Sequence, residues 1–328
     1  MKLEHLLGVV AISFANSSIA APFTPGNIVV ANGDTVTEYT TGGTIIQSIK
    51  VPPADNRPHV TLRDAVIDRF GRFHAMVSVP STATSFQRTW LSTFYPNTET
   101  WVHHTKAGWS LAGVTYIGGI GVSDKYIFAP DMRTGSGGAS EGIVRFPLDD
   151  LSHPELFDDG SQTIWHTVKV GLDGFVYALT SSGDMKRYDP ETMIELKHFQ
   201  IFRNASITSL TVDAEGNIYT IDLDNIIHRF NPDGIWIESI TIPGVGIDLE
   251  VFPNGRLIVG STGATVTITD TSFSYFETID TTFVQRHDSF DRNFVVFSAA
   301  IPEPSTLVLT TIASVTFLAR RRRLFPDR

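Results

Sequence analysis

The sequence predicts an all-β protein built from repeats of about 40 residues, and three observations support this prediction. Similar hairpins at residues 169–178 and 211–220 each join an apolar strand, a turn carrying Asp, Asn or Gly, and a second strand of β-branched and aromatic residues. Arg145, Arg187 and Arg229, each followed by an aromatic residue that we expect to face the sheet core, recur at intervals of 42 residues. Helical periodicity is nearly absent. A period of this length with four short strands in each unit is typical of the blades of a β-propeller.

Five repeat units can be drawn along the chain, and pieces near its two ends complete a sixth. The units cover residues 59–107, 108–162, 163–203, 204–243 and 244–283. Strands between Gly26 and Val51 lack an inner strand, which residues 283–299 can supply, and this pairing closes a ring without open edges. The sequence therefore predicts a propeller of six blades. Seven blades remain an alternative if the strands at 294–297 and 28–30 occupy equivalent positions in different blades, and a pair of β-sandwiches would make the 42-residue spacing accidental.

Composition limits the chemistry that the chain can perform. Of its 328 residues, 42% are hydrophobic and 18% are charged, which is enough apolar material for a sizeable core. There is no cysteine, so disulfides, thiolate metal sites, iron–sulfur clusters and cysteine nucleophiles are excluded. Lys and Arg number 25 against 35 Asp and Glu, and this net charge of -10 argues against nucleic acid as a partner.

The first twenty residues have the form of an export signal. Lys2 is followed by an apolar stretch from Leu6 to Ala15, and small residues precede the predicted cut between Ala20 and Ala21. We therefore expect residues 1–20 to be a signal peptide that is removed on export. Residues 21–300 would then form the propeller.

The last segment, residues 301–328, has three parts. It begins with an extended motif in which two prolines flank a glutamate: Pro302, Glu303 and Pro304. A mostly apolar or hydroxylated run at 306–319 follows, and as a helix it would span about 21 Å, short of the roughly 30 Å hydrocarbon core, so it predicts a marginal membrane anchor. The run is followed by four arginines that are expected to stop translocation: Arg320, Arg321, Arg322 and Arg323.

This three-part ending resembles the PEP-CTERM sorting signal of exported bacterial proteins, whose tails are handled by an exosortase. The resemblance implies an exosortase-type processing enzyme as a partner and contact with the membrane through the C-terminal helix. It also implies export across the inner membrane, at least transient anchoring there, and a final location at the cell surface or outside the cell.

A second resemblance concerns the repeats themselves. The strand Gly216-Asn217-Ile218-Tyr219, followed by Arg229-Phe230-Asn231-Pro232-Asp233-Gly234, is similar to repeats of the NHL and virginiamycin B lyase-like group, and the match extends over residues 163–260. Some members of that group are lyases or other enzymes with a metal at the ring centre, while many others are binding scaffolds. The resemblance therefore implies the fold and leaves the activity open.

Histidines are the first candidates for a metal site. His103 and His104 are adjacent, so on a strand they point to opposite faces and cannot bind one ion, and we expect them to be solvated. His166, His198 and His228 fall in successive units but at different positions, so they form no evident ring. We expect surface or inter-blade partners for these three, and the sequence assigns no catalytic, cofactor-binding or metal-binding residue.

Other polar motifs have simpler explanations than a ligand site. Asp222-Leu223-Asp224-Asn225 has closely spaced oxygen ligands for calcium, but a hairpin turn explains it better. The Gly-rich stretch at 133–140 has no lysine in the phosphate-binding arrangement and is expected to be a flexible insert. Four aspartates near inner strands or their ends are candidates to line a channel: Asp131, Asp173, Asp213 and Asp248.

Tryptophans offer one more candidate surface. Three of the five fall between residues 90 and 109, where they would form a stacking surface for sugars if exposed, or wedge neighbouring blades if buried. We favour the buried arrangement. The five are Trp90, Trp101, Trp109, Trp165 and Trp236.

Two classes of function are consistent with these patterns. The favoured one is a non-catalytic binding or interaction module of the bacterial cell envelope or extracellular matrix, with a polysaccharide or an envelope protein as its partner. The alternative is a propeller enzyme of the lyase or hydrolase kind that uses a metal at the channel mouth. Because the sequence contains no convergent set of nucleophile or metal ligands, it favours binding over catalysis.

Overall fold

A computed structural model of the chain gives the arrangement of most of the predicted propeller. The residues that it describes are 23–53, 61–79, 88–105, 119–131, 142–157, 165–180, 183–201, 207–244, 246–261, 263, 265–281 and 293–297. The predicted signal cleavage between Ala20 and Ala21 and the sorting signal of residues 301–328 lie outside the described residues, as does the Gly-rich stretch at 133–140.

Within the described ranges the chain forms 24 strands, which are grouped in six four-stranded antiparallel sheets. The first three strands are β1 (Ile28–Asn32), β2 (Thr35–Tyr39) and β3 (Ile45–Lys50). Blade 1 contains β4 (Thr61–Ile67), β5 (Phe73–Val79), β6 (Arg88–Tyr95) and β7 (Thr100–His104). Blade 2 contains β8 (Gly121–Val122), β9 (Tyr126–Asp131), β10 (Gly142–Pro147) and β11 (Glu155–Phe157).

The second half of the ring repeats the same order. Blade 3 contains β12 (Thr167–Val170), β13 (Val176–Leu179), β14 (Asp184–Tyr188) and β15 (Glu195–Gln200). Blade 4 contains β16 (Ile207–Val212), β17 (Ile218–Asp222), β18 (Ile226–Phe230) and β19 (Trp236–Thr241). Blade 5 contains β20 (Gly246–Val251), β21 (Arg256–Ser261), β22 (Thr265–Asp270) and β23 (Glu277–Asp280). The last strand is β24 (Asn293–Phe297), and it forms blade 6 together with β1, β2 and β3.

The first strands of the six blades pack against one another in a closed cycle, and we call the space that they enclose the channel. Blade 6 closes the ring because β24 pairs antiparallel with β1, with Val296 opposite Val29. The predicted six-bladed ring, completed by both chain ends, is therefore confirmed. The seven-bladed alternative is wrong, because strands 28–30 and 294–297 are neighbours in one sheet. The alternative of two β-sandwiches is also wrong, because the six sheets are arranged around one axis and the first strand of each sheet faces that axis.

A glycine in the left-handed region explains why the hairpin between the first and second strands recurs in the sequence. This turn has a glycine with a φ between +73° and +85° in four blades, Gly71, Gly174, Gly216 and Gly255, and Gly26 with a φ of 87° has the equivalent position before β1. Only glycine adopts such a φ without a steric cost, so the turn preserves the residue while the flanking strands vary.

The 42-residue landmark on the third strands also has a physical cause. The aromatic residue of each copy is fully buried, as predicted, at Phe146, Tyr188 and Phe230. The arginine before it covers an aromatic ring of its own blade. The guanidinium centre of Arg145 lies 4.3 Å from the ring of Tyr126, and Arg187 and Arg229 make the same kind of contact with Phe175 and Tyr219.

The buried apolar side chains lie between neighbouring blades and do not form one central core. Six clusters of buried side chains are present, one between each pair of neighbouring blades. Trp165, only 1% exposed, fills the contact between blades 2 and 3. Gly121 allows a close approach at the same contact, because a Cβ there would lie 2.3 Å from the backbone nitrogen of Val170. In the described ranges, no helix has the length and apolar character needed to cross a membrane.

Candidate functional site

A buried group of charged side chains lies where the inner strands converge on the channel. We call it the channel cluster, and it consists of Asp64, Lys169, Asp248 and Glu250. The Nζ of Lys169 lies 2.8 Å from Asp64 Oδ2, 3.5 Å from Glu250 Oε2 and 3.9 Å from Asp248 Oδ1. Because Asp64 belongs to β4, Lys169 to β12, and the other two carboxylates to β20, this lysine reaches across the channel and connects blades 1, 3 and 5.

Hydrogen bonds hold the carboxylates of the channel cluster from the remaining sides. Asp64 Oδ1 accepts from the backbone N–H of Ala65 and Asp64 Oδ2 from that of Ile120, both at 2.7 Å. Ser209 Oγ donates to Asp248 Oδ1 at 2.7 Å. These contacts add blades 2 and 4, so the channel cluster links five of the six blades through charge-assisted hydrogen bonds.

Burial and mutual attraction determine the charge of these groups. Burial raises the pKa of Asp64 from 3.8 to about 6, although Lys169 opposes the shift. Glu250 keeps about a quarter of its side-chain surface exposed, yet loss of hydration at the channel wall raises its pKa from 4.5 to about 7. Burial alone would lower the pKa of Lys169, but the three carboxylates outweigh it and raise the pKa. The lysine is therefore charged at every physiological pH, and its positive charge partly balances the negative charge of the three carboxylates.

The channel cluster does not fit a divalent cation. Carboxylate oxygens are suitable ligands for Mg²⁺ or Ca²⁺, but here an ammonium group lies at ion-pair distance from all three. A metal ion would have to displace a buried, positively charged lysine side chain. The described residues hold no group of three or more His, Asp or Glu side chains arranged to bind a metal.

Of the four aspartates predicted to line a channel, the structure places one there. Asp248 belongs to the channel cluster. Asp173 and Asp213 lie in the turns after inner strands, where each accepts a hydrogen bond from a tyrosine hydroxyl, at 2.7 Å from Tyr177 and 3.0 Å from Tyr219. Asp131 is buried at the end of a second strand. For Asp173 and Asp213 the prediction is wrong, since a position near the end of an inner strand places the side chain in a turn rather than in the channel.

Sequence reasoning missed Asp64, Lys169 and Glu250. The available signal is a charged residue inside an inner strand that is otherwise apolar, such as Lys169 between Val168 and Val170. A lysine at such a position is buried only when it is paired, so it indicates a partner elsewhere in the ring. The identity of that partner depends on which blades face each other.

The two adjacent histidines are not solvated as predicted. Both are half-buried on β7, where His103 Nδ1 lies 2.8 Å from Ser92 Oγ. Burial, together with the nearby His74, His103 and Arg72, lowers the pKa of His104 to about 4. The outer strand of blade 1 is thus packed more closely than its sequence indicates, and burial favours the neutral form of both histidines.

The other histidines have local partners or lie apart from the channel. His228 is hydrogen-bonded between Ser239 Oγ at 2.7 Å and Asp222 Oδ2 at 3.0 Å, and His198 Nε2 contacts Asp184 Oδ1. These two histidines therefore have partners, but the partners belong to the same blade and not to a neighbouring one. His166 is half-buried just before β12, and burial lowers its pKa.

The acidic stretch at 222–225 is a hairpin turn, as predicted. Asp222 Oδ1 accepts the backbone N–H groups of Asp224 at 2.9 Å and Ile226 at 3.0 Å, and Asn225 adopts a left-handed φ of 64°. Asp222 Oδ2 faces His228. Both oxygens of the Asp222 carboxylate are thus used within the blade.

Two of the four described tryptophans are buried and a third is partly buried, which confirms the favoured prediction for these three. Trp90 and Trp165 are 9% and 1% exposed, and Trp101 packs against the rings of Phe73 and Phe94. Trp236 differs, because it is 54% exposed on the outer strand of blade 4. Trp109 lies outside the described residues.

A solvent-accessible cleft lies between blades 1 and 2, and we call it the blade 1–2 cleft. Its volume is about 680 Å³, and it opens on the face that carries the turns between first and second strands. Three aromatic rings line it: Phe70, Tyr95 and Tyr126. Six charged side chains also line it: Arg69, Arg72, Lys125, Asp124, Asp149 and Glu155.

Half of these charged groups are paired within the ring. Arg72 Nε donates to Asp68 Oδ2 at 2.6 Å, and its terminal nitrogen donates to the carbonyl oxygen of Leu148 at 3.0 Å, which joins blade 1 to blade 2. Lys125 lies 2.8 Å from Glu191 Oε2, and Glu155 pairs with Arg145. Arg69, Asp124 and Asp149 form no ion pair with any described residue. These three side chains and the ring of Phe70 are exposed, so a ligand can reach them.

No protein-family model matches the chain, and no curated protein sequence matches it. Among solved structures, virginiamycin B lyase from Staphylococcus aureus is similar, with 12% identity over 76% of this chain and 78% of that chain and a TM-score of 0.52. A protein of unknown function from Bacteroides caccae is similar over 83% of this chain and 98% of that chain, with 9% identity and a TM-score of 0.51. At such identities the similarity shows the fold alone, and it confirms the predicted lyase-like propeller at that level.

Proposed function

We propose that this chain is a non-catalytic binding module of the bacterial cell envelope or extracellular matrix. The observation that supports this proposal is the channel cluster. In propeller enzymes with a central site, ionisable groups must be available to a substrate or a metal. Here Lys169 forms ion pairs with Asp64, Asp248 and Glu250, so these carboxylates are already occupied. A ring that uses these groups for its own cohesion is suited to present a rigid outer surface to a partner.

The alternative function, an enzyme of the lyase or hydrolase kind, depends on a metal at the channel mouth. It has the similarity to virginiamycin B lyase in its favour, but at 12% identity that similarity concerns the fold. The ammonium of Lys169 competes with any cation for the same three carboxylates. We therefore favour binding.

Addition of Mg²⁺ or Mn²⁺ to the purified protein is expected to leave its melting temperature unchanged and to produce no turnover of a macrolide, a lactone or a polysaccharide. A metal that bound only the folded ring would raise the melting temperature by mass action. The measurements are differential scanning fluorimetry and product detection by mass spectrometry. Metal-dependent turnover that Asp64→Asn abolishes would establish the enzyme instead.

We also propose that the protein is exported, loses residues 1–20, and is sorted to the cell surface or beyond by its C-terminal segment. The sequence at the two ends supports this: the small residues up to Ala20, the motif Pro302-Glu303-Pro304, and the arginines at 320–323. The partners of this step are an exosortase-type processing enzyme and, through the helix at 306–319, the membrane.

Deletion of residues 301–328 is expected to abolish retention at the membrane and surface, so that the protein is recovered in the soluble fraction. The reason is that the apolar run and its arginines are the only anchor that the sequence predicts. Cell fractionation with immunoblotting measures this, and a Glu303→Ala variant separates the processing motif from the anchor. Unchanged surface localisation of the truncated chain contradicts the sorting proposal.

A further inference from the structure

Blade 1 departs from the repeat where it forms the wall of the blade 1–2 cleft. In the turn after its inner strand, Phe70 and Arg69 precede Gly71, whereas in blade 4 the equivalent residues before Gly216 are Glu215 and Ala214. A large apolar ring thus occupies a turn position that holds a polar residue elsewhere in the ring. Such a change is not required by the turn, whose conformation depends on the glycine.

The ring of Phe70 contributes little to the folded core. It is 52% exposed, and its described ring contacts are with the guanidinium centres of Arg69 at 4.8 Å and Arg72 at 5.0 Å from its centroid. Arg72 is itself fixed by Asp68 and by the carbonyl of Leu148. The aromatic side chain is therefore positioned at the cleft by Arg72, which is anchored in both blades, while it remains accessible to solvent.

Blade 1 also changes the buried layer behind this turn. His74 takes the place that Tyr219 has in blade 4, and Thr93 takes the place of Arg229. His74 lies 2.9 Å from both Asp68 Oδ2 and Thr93 Oγ1, and burial lowers its pKa. Because Asp68 also accepts hydrogen bonds from the backbone N–H groups of Phe70 and Arg72 at 2.9 Å, this layer fixes the turn that forms the cleft wall.

The charges along the cleft are balanced, and this limits the class of ligand. Three cationic and three acidic side chains line it, and the three that no described residue pairs sum to a charge of only -1, so the cleft strongly attracts neither anions nor cations. The groups that no described residue pairs are Arg69, Asp124 and Asp149. They offer hydrogen-bond donors and acceptors side by side, next to aromatic rings, which suits a neutral ligand that has apolar faces and many hydroxyl groups.

We propose that the blade 1–2 cleft binds a short neutral oligosaccharide. The C–H face of a sugar ring packs on an aromatic side chain, while its paired hydroxyl groups donate to carboxylates such as Asp149 and accept from the guanidinium of Arg69. The cleft volume of about 680 Å³ lies in the range of ligand sites. This inference rests on the proposed binding function and names the ligand class and its site.

Isothermal titration calorimetry of the full-length protein with neutral gluco-, galacto- and manno-oligosaccharides tests the inference. At least one of them is expected to bind, and Phe70→Ala is expected to weaken its affinity about tenfold, because one exposed aromatic contact at the centre of a site contributes on this scale. Asp149→Asn should weaken the same binding. The matched control is Phe276→Ala, which removes a 38% exposed aromatic ring of blade 5 and should leave the affinity unchanged.

The other outcomes separate this inference from the function on which it rests. Failure of every neutral oligosaccharide to bind, or binding that Phe70→Ala and Phe276→Ala affect equally, overturns the cleft as a saccharide site. If oligogalacturonate or an envelope protein binds instead, the binding function survives with another ligand. Turnover of a bound oligosaccharide contradicts the non-catalytic function but retains the site. Melting curves of Phe70→Ala that match the parent show that the loss is one of binding.

Discussion

Replacement of Lys169 by methionine is expected to lower the free energy of unfolding by about 3–5 kcal/mol at pH 8. Methionine keeps most of the volume of the lysine side chain but removes its charge. The carboxylates of Asp64, Asp248 and Glu250 would then remain close together in the channel without the ammonium that lies 2.8 Å from Asp64. Chemical denaturation followed by tryptophan fluorescence measures the change.

The pH dependence of this loss identifies its cause. Folding raises the pKa of Asp64 to about 6 and that of Glu250 to about 7, so the stability from these two groups is present at low pH and is lost as the pH rises through those values. Without Lys169 both carboxyls become harder to ionise, and the difference from the parent should therefore widen between pH 5 and pH 8. Adding Glu250→Gln to the variant should recover part of the loss.

The matched control removes an exposed lysine instead of a buried one. Lys125 forms an exposed ion pair with Glu191, and Lys125→Met should change the stability little because solvent screens that pair. If Lys169→Met lost the same stability at pH 5 and at pH 8, the packing of the lysine stem, and not its charge, would be responsible.

Removal of residues 293–328 is expected to lower the melting temperature by more than about 10 °C and to broaden the transition. This truncation deletes β24, which supplies the inner strand of blade 6 and contacts the inner strands of blades 1 and 5. It also leaves β1 as an unpaired edge next to the channel, where it is open to pairing with other chains. Calorimetry and light scattering should show lower stability and aggregation.

The comparison is with a chain that ends at residue 300. That variant keeps the pairing of β24 with β1 and should melt like the full-length protein. Equal melting temperatures for the two truncations would mean that the ring does not depend on closure by its last strand.

The blades could be predicted from the sequence because their signals are local. A turn glycine such as Gly216 and an arginine with a buried aromatic neighbour such as Arg229 recur for reasons that operate within one blade. Closure by residues 293–297 could also be predicted, because the strands at residues 28–50 lacked an inner partner. The predicted unit at 59–107 contains all four strands of blade 1, although the turn after its inner strand differs from the repeat.

The two sites could not be predicted, because each depends on which blades face each other. Asp64 and Lys169 are separated by 105 residues and meet only across the closed ring. Phe70 and Tyr126 belong to different blades, and their convergence on one cleft follows from the packing of blade 1 against blade 2. A repeat pattern predicts the fold of each unit, but the chemistry of the channel and the cleft arises between units.

The pairing of β24 with β1 also constrains how the protein folds. Val29 and Val296 are 296 − 29 = 267 residues apart, so the last ladder of the ring forms between the two ends of the chain. Blades 1 to 5 are each continuous in sequence and form from strands that are neighbours along the chain, whereas this final contact carries a large loop-closure entropy. Completion of the ring is therefore expected to be the slow step, and it cannot occur until nearly the whole chain has been synthesised.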